Sequence, residues 1–183
     1  MLDLQYPRDL VMIGAVFGAA AFVWAGWAQE NPPGHVAWRV VLGCLSVAGL
    51  VLAALSIPVA VRHWHATTAI DPGSTAFRGY VIVFWLEVIV AAVLGVLAGR
   101  AGRSDLIAPL ILAVVGVHFV ALAVVFQQPV LHLAAATLTM IAVVAALLRV
   151  EAVAPSFWCG ILGAPVFLAI GGWCLVAGRA ALT

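Results

Sequence analysis

The hydrophobic pattern of the chain consists of long apolar runs separated by short polar connections. Runs of about 20 apolar residues, the length needed to cross a bilayer, recur along the whole sequence. They cover residues 10–28, 38–61, 80–98, 106–126, 130–148 and 157–177. We therefore predict an all-α fold, a polytopic transmembrane bundle of about six spans with short loops, forming a single domain over residues 1–183.

The short connections carry expectations about packing. Helices joined by a few residues lie side by side and antiparallel, so the third, fourth and fifth helices are expected to form a compact unit. Ser104 is the predicted N-cap of the fourth helix. Pairs of small residues, Gly14 with Gly18 and Gly160 with Ala164, predict places where helix backbones approach closely.

Composition agrees with a membrane class: 66% of the residues are hydrophobic and 8% are charged. Every basic residue is Arg, and the absence of Lys excludes retinal and pyridoxal Schiff-base proteins, which need a lysine amine. The abundance of Arg, Ala, Val and Leu is typical of a GC-rich bacterial genome, so we expect a multi-pass protein of the bacterial cytoplasmic membrane. The sequence leaves the identity of any other cofactor open, and nucleic acid is not an expected partner. The three cysteines lie in apolar runs and are interpreted as small buried hydrophobes.

The basic residues do not fix the orientation. Four arginines fall on the face that carries both termini and four on the other, which gives no positive-inside bias. A fixed orientation is favoured over dual insertion. Acidic residues precede the first run and no cleavage pattern closes it, so we expect a retained helix and not a signal peptide.

Glu87 is the most informative residue, because a carboxylate inside an apolar run is expensive in a bilayer and is a candidate functional group. It lies seven residues after Tyr80, about 10 Å along the third helix. His118 lies eight residues before Phe126, about 12 Å from the same face along the fourth helix. An antiparallel pair of helices would place this carboxylate and imidazole at nearly one level, where they could share a proton.

Three further histidines extend this candidate site. His132, at the start of the fifth helix on the same face, is a predicted outer proton relay. An alternative groups His63, His65 and His132 into a metal site, although histidines two residues apart suit a loop better than a helix. Haem between His118 and His132 is disfavoured, because the two differ by roughly 9 Å in depth.

The middle of the chain also resembles an uncharacterised family of small bacterial multi-span membrane proteins. The resemblance rests on FWLEV at residues 84–88, GVHF at residues 116–119 and QP at residues 128–129. That family carries a glutamate in one helix and a Gly-x-His-Phe sequence in the next. The resemblance covers about one third of the chain and implies no reaction or substrate.

These observations leave three functions open. The favoured one is proton-linked transport or permeation of a small solute or ion, using Glu87 and His118. The alternatives are a membrane-embedded enzyme with Glu87 as general acid or base on a lipid-like or isoprenoid substrate, and a structural or accessory subunit in which the pair only fixes helix packing. The bilayer is the expected partner in each case, and a homo-oligomer is left open.

Overall fold

The computed structural model describes residues 2–148, 150 and 153–183, and this part of the chain is helical, without strands. The helices are α1 (Pro7–Trp27), α2 (Val36–Arg62), α3 (Thr75–Arg100), α4 (Ile107–Val125), α5 (Val130–Leu147) and α6 (Pro155–Leu182). A short 3-10 turn, Ser104–Leu106, leads into α4. Within the described residues, six helices are long and apolar enough to cross a membrane, which confirms the predicted fold class.

Helix α1 lies at the centre of the bundle, packed along α6 on one side and α2 on another. Glycines make this packing close. A Cβ atom added at Gly18 would lie 2.7 Å from the carbonyl oxygen of Gly49 in α2, and one added at Gly14 would lie 3.2 Å from that of Gly171 in α6. Gly160 of α6 likewise faces the backbone of Trp24. The predicted role of the small-residue pairs in helix packing is therefore confirmed.

Three phenylalanines connect the central helices to α4. The ring centroid of Phe17 in α1 lies 5.1 Å from that of Phe119 in α4 and 5.3 Å from that of Phe167 in α6. All three side chains are buried. Edge-to-face aromatic contacts of this kind contribute beyond their buried area, so α1, α4 and α6 form a well-packed core beside which a site can be held in place.

The predicted side-by-side packing of the third to fifth helices is confirmed for α3 with α4 and for α4 with α5, but α3 and α5 do not pack along one another in the described structure. Among the described residues α3 packs against α4 and the 3-10 turn, whereas α5 packs between α4 and α6. Ala98 is the buried residue of α3. The short connections keep α4 beside both α3 and α5. The central position belongs to α1 and α6, because their glycine-rich faces let these two helices pack closely.

The helix starts also differ from expectation in one place. Ser104 lies in the 3-10 turn, and no side chain caps α4, so its predicted role as N-cap is wrong. Ser74 is the N-cap of α3. Its hydroxyl oxygen accepts a hydrogen bond from the Phe77 N–H at 3.0 Å.

The outward faces of α2 and α3 are covered with large apolar side chains. On α3 these are Ile82, Trp85, Leu86, Ile89, Val93, Val96 and Leu97. A water-soluble protein rarely exposes so continuous an apolar surface, whereas lipid accepts it without cost. The chain is therefore an integral, multi-pass membrane protein.

Candidate proton and ligand site

Glu87 and His118 meet across the α3–α4 contact. The Oε2 atom of Glu87 lies 3.4 Å from the Nδ1 atom of His118, and the two side chains are 20% and 7% exposed. Glu87 lies near the middle of α3, and His118 lies seven residues before the end of α4. The antiparallel arrangement of the two helices thus brings the two groups to one level, as their positions in the sequence predicted.

The geometry of the pair suits the sharing of one proton. Among the described residues the buried Nδ1 atom of His118 has no hydrogen-bond partner at ordinary geometry, and Glu87 is the group that faces it. The backbone carbonyl of Val83, one turn before Glu87, lies within reach of the same imidazole ring. A neutral imidazole and a carboxyl group can each donate or accept, so the proton can reside on either side of this contact.

A cavity of about 430 Å³ lies beside the pair, between α1, α3 and α4, with a contribution from α6. Its volume falls in the range of ordinary small-molecule sites. Most of its wall is apolar, and aromatic rings are prominent: Phe17, Trp24, Tyr80, Phe84, Phe119, Phe126 and Phe167. The polar side chains in the wall are Glu87 and His118 at mid-height and Arg8 and Asp9 at one end. Sequential order favoured a site between the third, fourth and fifth helices, but α1, α3 and α4 supply most of the wall and α5 contributes Leu131.

A second, shallower space lies on the other side of the same pair. It is a groove of about 370 Å³ between α3 and α4, lined by aliphatic residues such as Leu86, Val90 and Val117. Glu87 and His118 belong to its lining as well. The two side chains therefore form part of the wall that separates the cavity from the groove.

Arg8 and Asp9 at the end of the cavity anchor the connection between α2 and α3. The Asp9 carboxylate accepts a hydrogen bond from the Thr68 hydroxyl and another from the Ala69 N–H, both at 2.7 Å. The Arg8 Nη1 donates to the Trp64 carbonyl at 2.8 Å, and the guanidinium lies over the Trp64 ring. Sequence reasoning missed this cluster because charged residues beside an apolar run are ordinary and carry no signal of a tertiary contact.

The other predicted site residues lie elsewhere. His132 is exposed at the start of α5 and is not part of the cavity lining. His63 is half-buried with its Nδ1 atom 3.0 Å from the Val59 carbonyl oxygen, and His65 is exposed. No group of three His, Cys, Asp or Glu side chains in the described ranges is arranged to hold a metal ion, so the proposed His63, His65 and His132 site is not formed there.

Comparisons with known protein families, with characterised proteins and with solved structures find no match to this chain. The resemblance of its middle helices to a family of small bacterial membrane proteins stays a prediction. The function therefore has to be argued from the site itself.

Proposed function

We propose that the protein is a small proton-linked carrier of the bacterial cytoplasmic membrane, with Glu87 and His118 as its proton site. The observation that carries the proposal is that this pair lines both the cavity and the groove. A titratable pair in the wall between two spaces is suited to couple a proton to the movement of a solute from one space to the other. His132 stays a candidate outer relay, although it lies apart from the cavity.

The packing of α3 supports this function. In the described structure α3 is held by α4 and the 3-10 turn, so it has freedom to rock against the rest of the bundle. The 3.4 Å contact between Glu87 and His118 joins two titratable side chains across the α3–α4 interface, beside the Val83 carbonyl. A proton that moves onto or off this contact changes its charge and therefore the preferred position of α3.

Proton coupling is tested in proteoliposomes with an imposed pH gradient and a trapped pH-sensitive dye. A panel of small acidic, neutral and basic amphipathic compounds is added one by one. The proposal predicts that at least one compound dissipates the gradient with the wild type and fails to do so with Glu87→Gln, which keeps size and hydrogen bonding but does not ionise. Glu30→Gln is the matched control, since Glu30 bonds to Ser156 outside the cavity. A gradient that no compound dissipates, or equal dissipation with Glu87→Gln, contradicts the proposal.

A second function is favoured by the aromatic wall of the cavity. An acid and base pair beside an apolar cavity is also what a membrane-embedded enzyme acting on a lipid-like or isoprenoid substrate requires. Here Glu87 would give or take a proton at a carbon or oxygen of the bound chain, with His118 as its partner. Mass spectrometry of lipids incubated with the wild type and with Glu87→Gln separates the two functions, because an enzyme leaves a chemically changed product and a carrier does not.

A further inference from the structure

The shape of the cavity restricts what it can hold. Arg8, Met12, Val16, Ala20 and Trp24 line it at four-residue intervals along one face of α1. The first and last of these are sixteen residues apart, which is about 24 Å at helical rise. The cavity is therefore long and narrow, and it runs from the end of α1 far into the depth of the bilayer.

The polar groups are distributed unevenly along this length. Arg8 and Asp9 lie at the end of the cavity near the membrane surface, with Trp64 of the neighbouring connection. Below them the α1 side of the wall is apolar as far as Trp24. Glu87 and His118 line the opposite side at mid-height. A ligand with one polar end and one long apolar part matches the α1 face and brings part of its length beside this pair.

Charge at the polar end selects the sign of the ligand's head group. Both oxygens of Asp9 already accept hydrogen bonds, from Thr68 and Ala69. Arg8 donates to the Trp64 carbonyl through Nη1, and its buried Nε pairs with Asp9 at 3.7 Å without a hydrogen-bond partner among the described residues. A guanidinium has five N–H donors, so Arg8, which lines the cavity, has others to offer a ligand. Such a group binds carboxylates and phosphates well, so an acidic head group fits here.

The cavity is open to the bilayer as well. Val16 of α1 and Phe84 of α3 both line it, yet they are 56% and 41% exposed. The two helices do not pack along one another in the described structure. The opening between α1 and α3 thus faces the hydrocarbon region, and an amphiphile can enter from the membrane with its head group at the level of Arg8.

We propose that the ligand of this cavity is an anionic amphiphile, bound with its acidic head group on Arg8 and its hydrocarbon chain along α1 toward Trp24. The acid can belong to a free fatty acid or to an anionic phospholipid, which share this chemistry. This inference rests on the proposed function in that it names the solute class of the same site.

Native mass spectrometry of the detergent-purified protein tests the inference without any transport assay. Two pairs of probes are used: oleate beside oleyl alcohol, and dioleoyl phosphatidylglycerol beside dioleoyl phosphatidylcholine. In at least one pair the wild type is expected to bind the acidic probe about tenfold more tightly, which corresponds to ~1.4 kcal/mol. Preference in the first pair identifies a free acid as the ligand, and preference in the second identifies a phospholipid.

Variants locate the binding. Arg8→Gln is expected to abolish the preference for the acidic probe, whereas Arg62→Gln, at an exposed arginine outside the cavity lining, is expected to retain it. Ala20→Phe fills the apolar part of the cavity and is expected to weaken the acidic and the neutral probe alike. Ala19→Phe, on the exposed neighbouring position, is its control.

The inference is overturned if no probe binds, if acidic and neutral probes bind equally, or if Arg8→Gln keeps the preference. Size-exclusion profiles of the variants show whether each is folded, and Arg8→Lys, which keeps the positive charge, is expected to restore the preference in part. Two outcomes together refute the proton site and leave the ligand class standing: binding depends on Arg8, and the Glu87→Gln variant still dissipates the pH gradient. The reverse pattern refutes the ligand class alone.

Discussion

The Nδ1 atom of His118 lies 3.4 Å from the Oε2 atom of Glu87, and this contact joins α4 to the least buried helix of the bundle. Both side chains also line the cavity and the groove, which lie on either side of this contact. One polar contact therefore contributes to the position of α3 and to the separation of two apolar spaces.

The contact itself is expected to contribute modestly to stability. A double-mutant cycle with Glu87→Leu, His118→Leu and the double variant should give a coupling free energy of about 1 kcal/mol, since polar contacts inside membrane bundles are weak. The double variant should be at least as stable as either single variant, because leucines leave no polar group unpaired. Steric-trapping unfolding measures these values. A coupling free energy near zero would show that the two side chains do not interact.

The close approach of α1 and α2 depends on Gly18. A Cβ atom there would lie 2.5 Å from the backbone nitrogen of Ala53, so Gly18→Ala must push the two helices apart. We expect a loss of about 1–3 kcal/mol, as for other overpacked sites. Thermal denaturation in detergent measures it, with Gly26→Ala as the control because a Cβ atom there meets nothing within 4 Å. Equal melting temperatures for the two variants would contradict this packing.

The connection between α2 and α3 is held over the cavity by Asp9. Asp9→Ala removes the acceptor of the hydrogen bonds from Thr68 and Ala69, each 2.7 Å long. Amide hydrogen exchange at Ala69 should accelerate by roughly 10–100-fold, the effect of losing a hydrogen bond to a charged group. Asp71→Ala, at an exposed position of the same connection, is the control and should leave this exchange unchanged.

Ser74 caps the start of α3, whereas Ser104 does not cap the start of α4. Ser74→Ala removes an N-cap and is expected to lower the free energy of unfolding by about 1 kcal/mol and to fray the first turn of α3. Ser104→Ala removes no capping bond and should change the free energy of unfolding by much less. Thermal denaturation and amide exchange at Phe77 measure both effects. A larger effect at Ser104 would contradict the observed caps.

Much of the fold could be predicted from the sequence because the membrane imposes it. Backbone polar groups in hydrocarbon must be paired within a helix, so each long apolar run specifies a span. The level of Glu87 and His118 followed from the constant rise of a helix and a short connection. The small-residue pairs on α1 and α6 likewise indicated close packing.

The arrangement of the helices could not be predicted in the same way. In lipid every apolar face is acceptable, so hydrophobicity does not tell which helices become neighbours. Sequential order suggested a site between α3, α4 and α5, whereas α5 contributes only Leu131 to the described lining and α1 supplies one whole side, because its glycines fit both α2 and α6. For the same reason Arg8 and Asp9, far from Glu87 in sequence, were not recognised as residues of the same cavity.

Protonation of the Glu87–His118 pair is expected to change the position of α3. Double electron–electron resonance measures this change as the distance between two spin labels, one at Val47 on α2 and one at Val93 on α3. These positions are 61% and 50% exposed. The exposed Cys44 is replaced by serine, and the two buried cysteines are shielded.

Measurements from about pH 4 to about pH 8 span the ordinary titration of a carboxyl and an imidazole. The distance distribution is expected to shift with pH in the otherwise unmodified protein. With Glu87→Gln it should stay close to the acidic form throughout. A distribution that ignores pH, or that responds equally with Glu87→Gln, would contradict the claim.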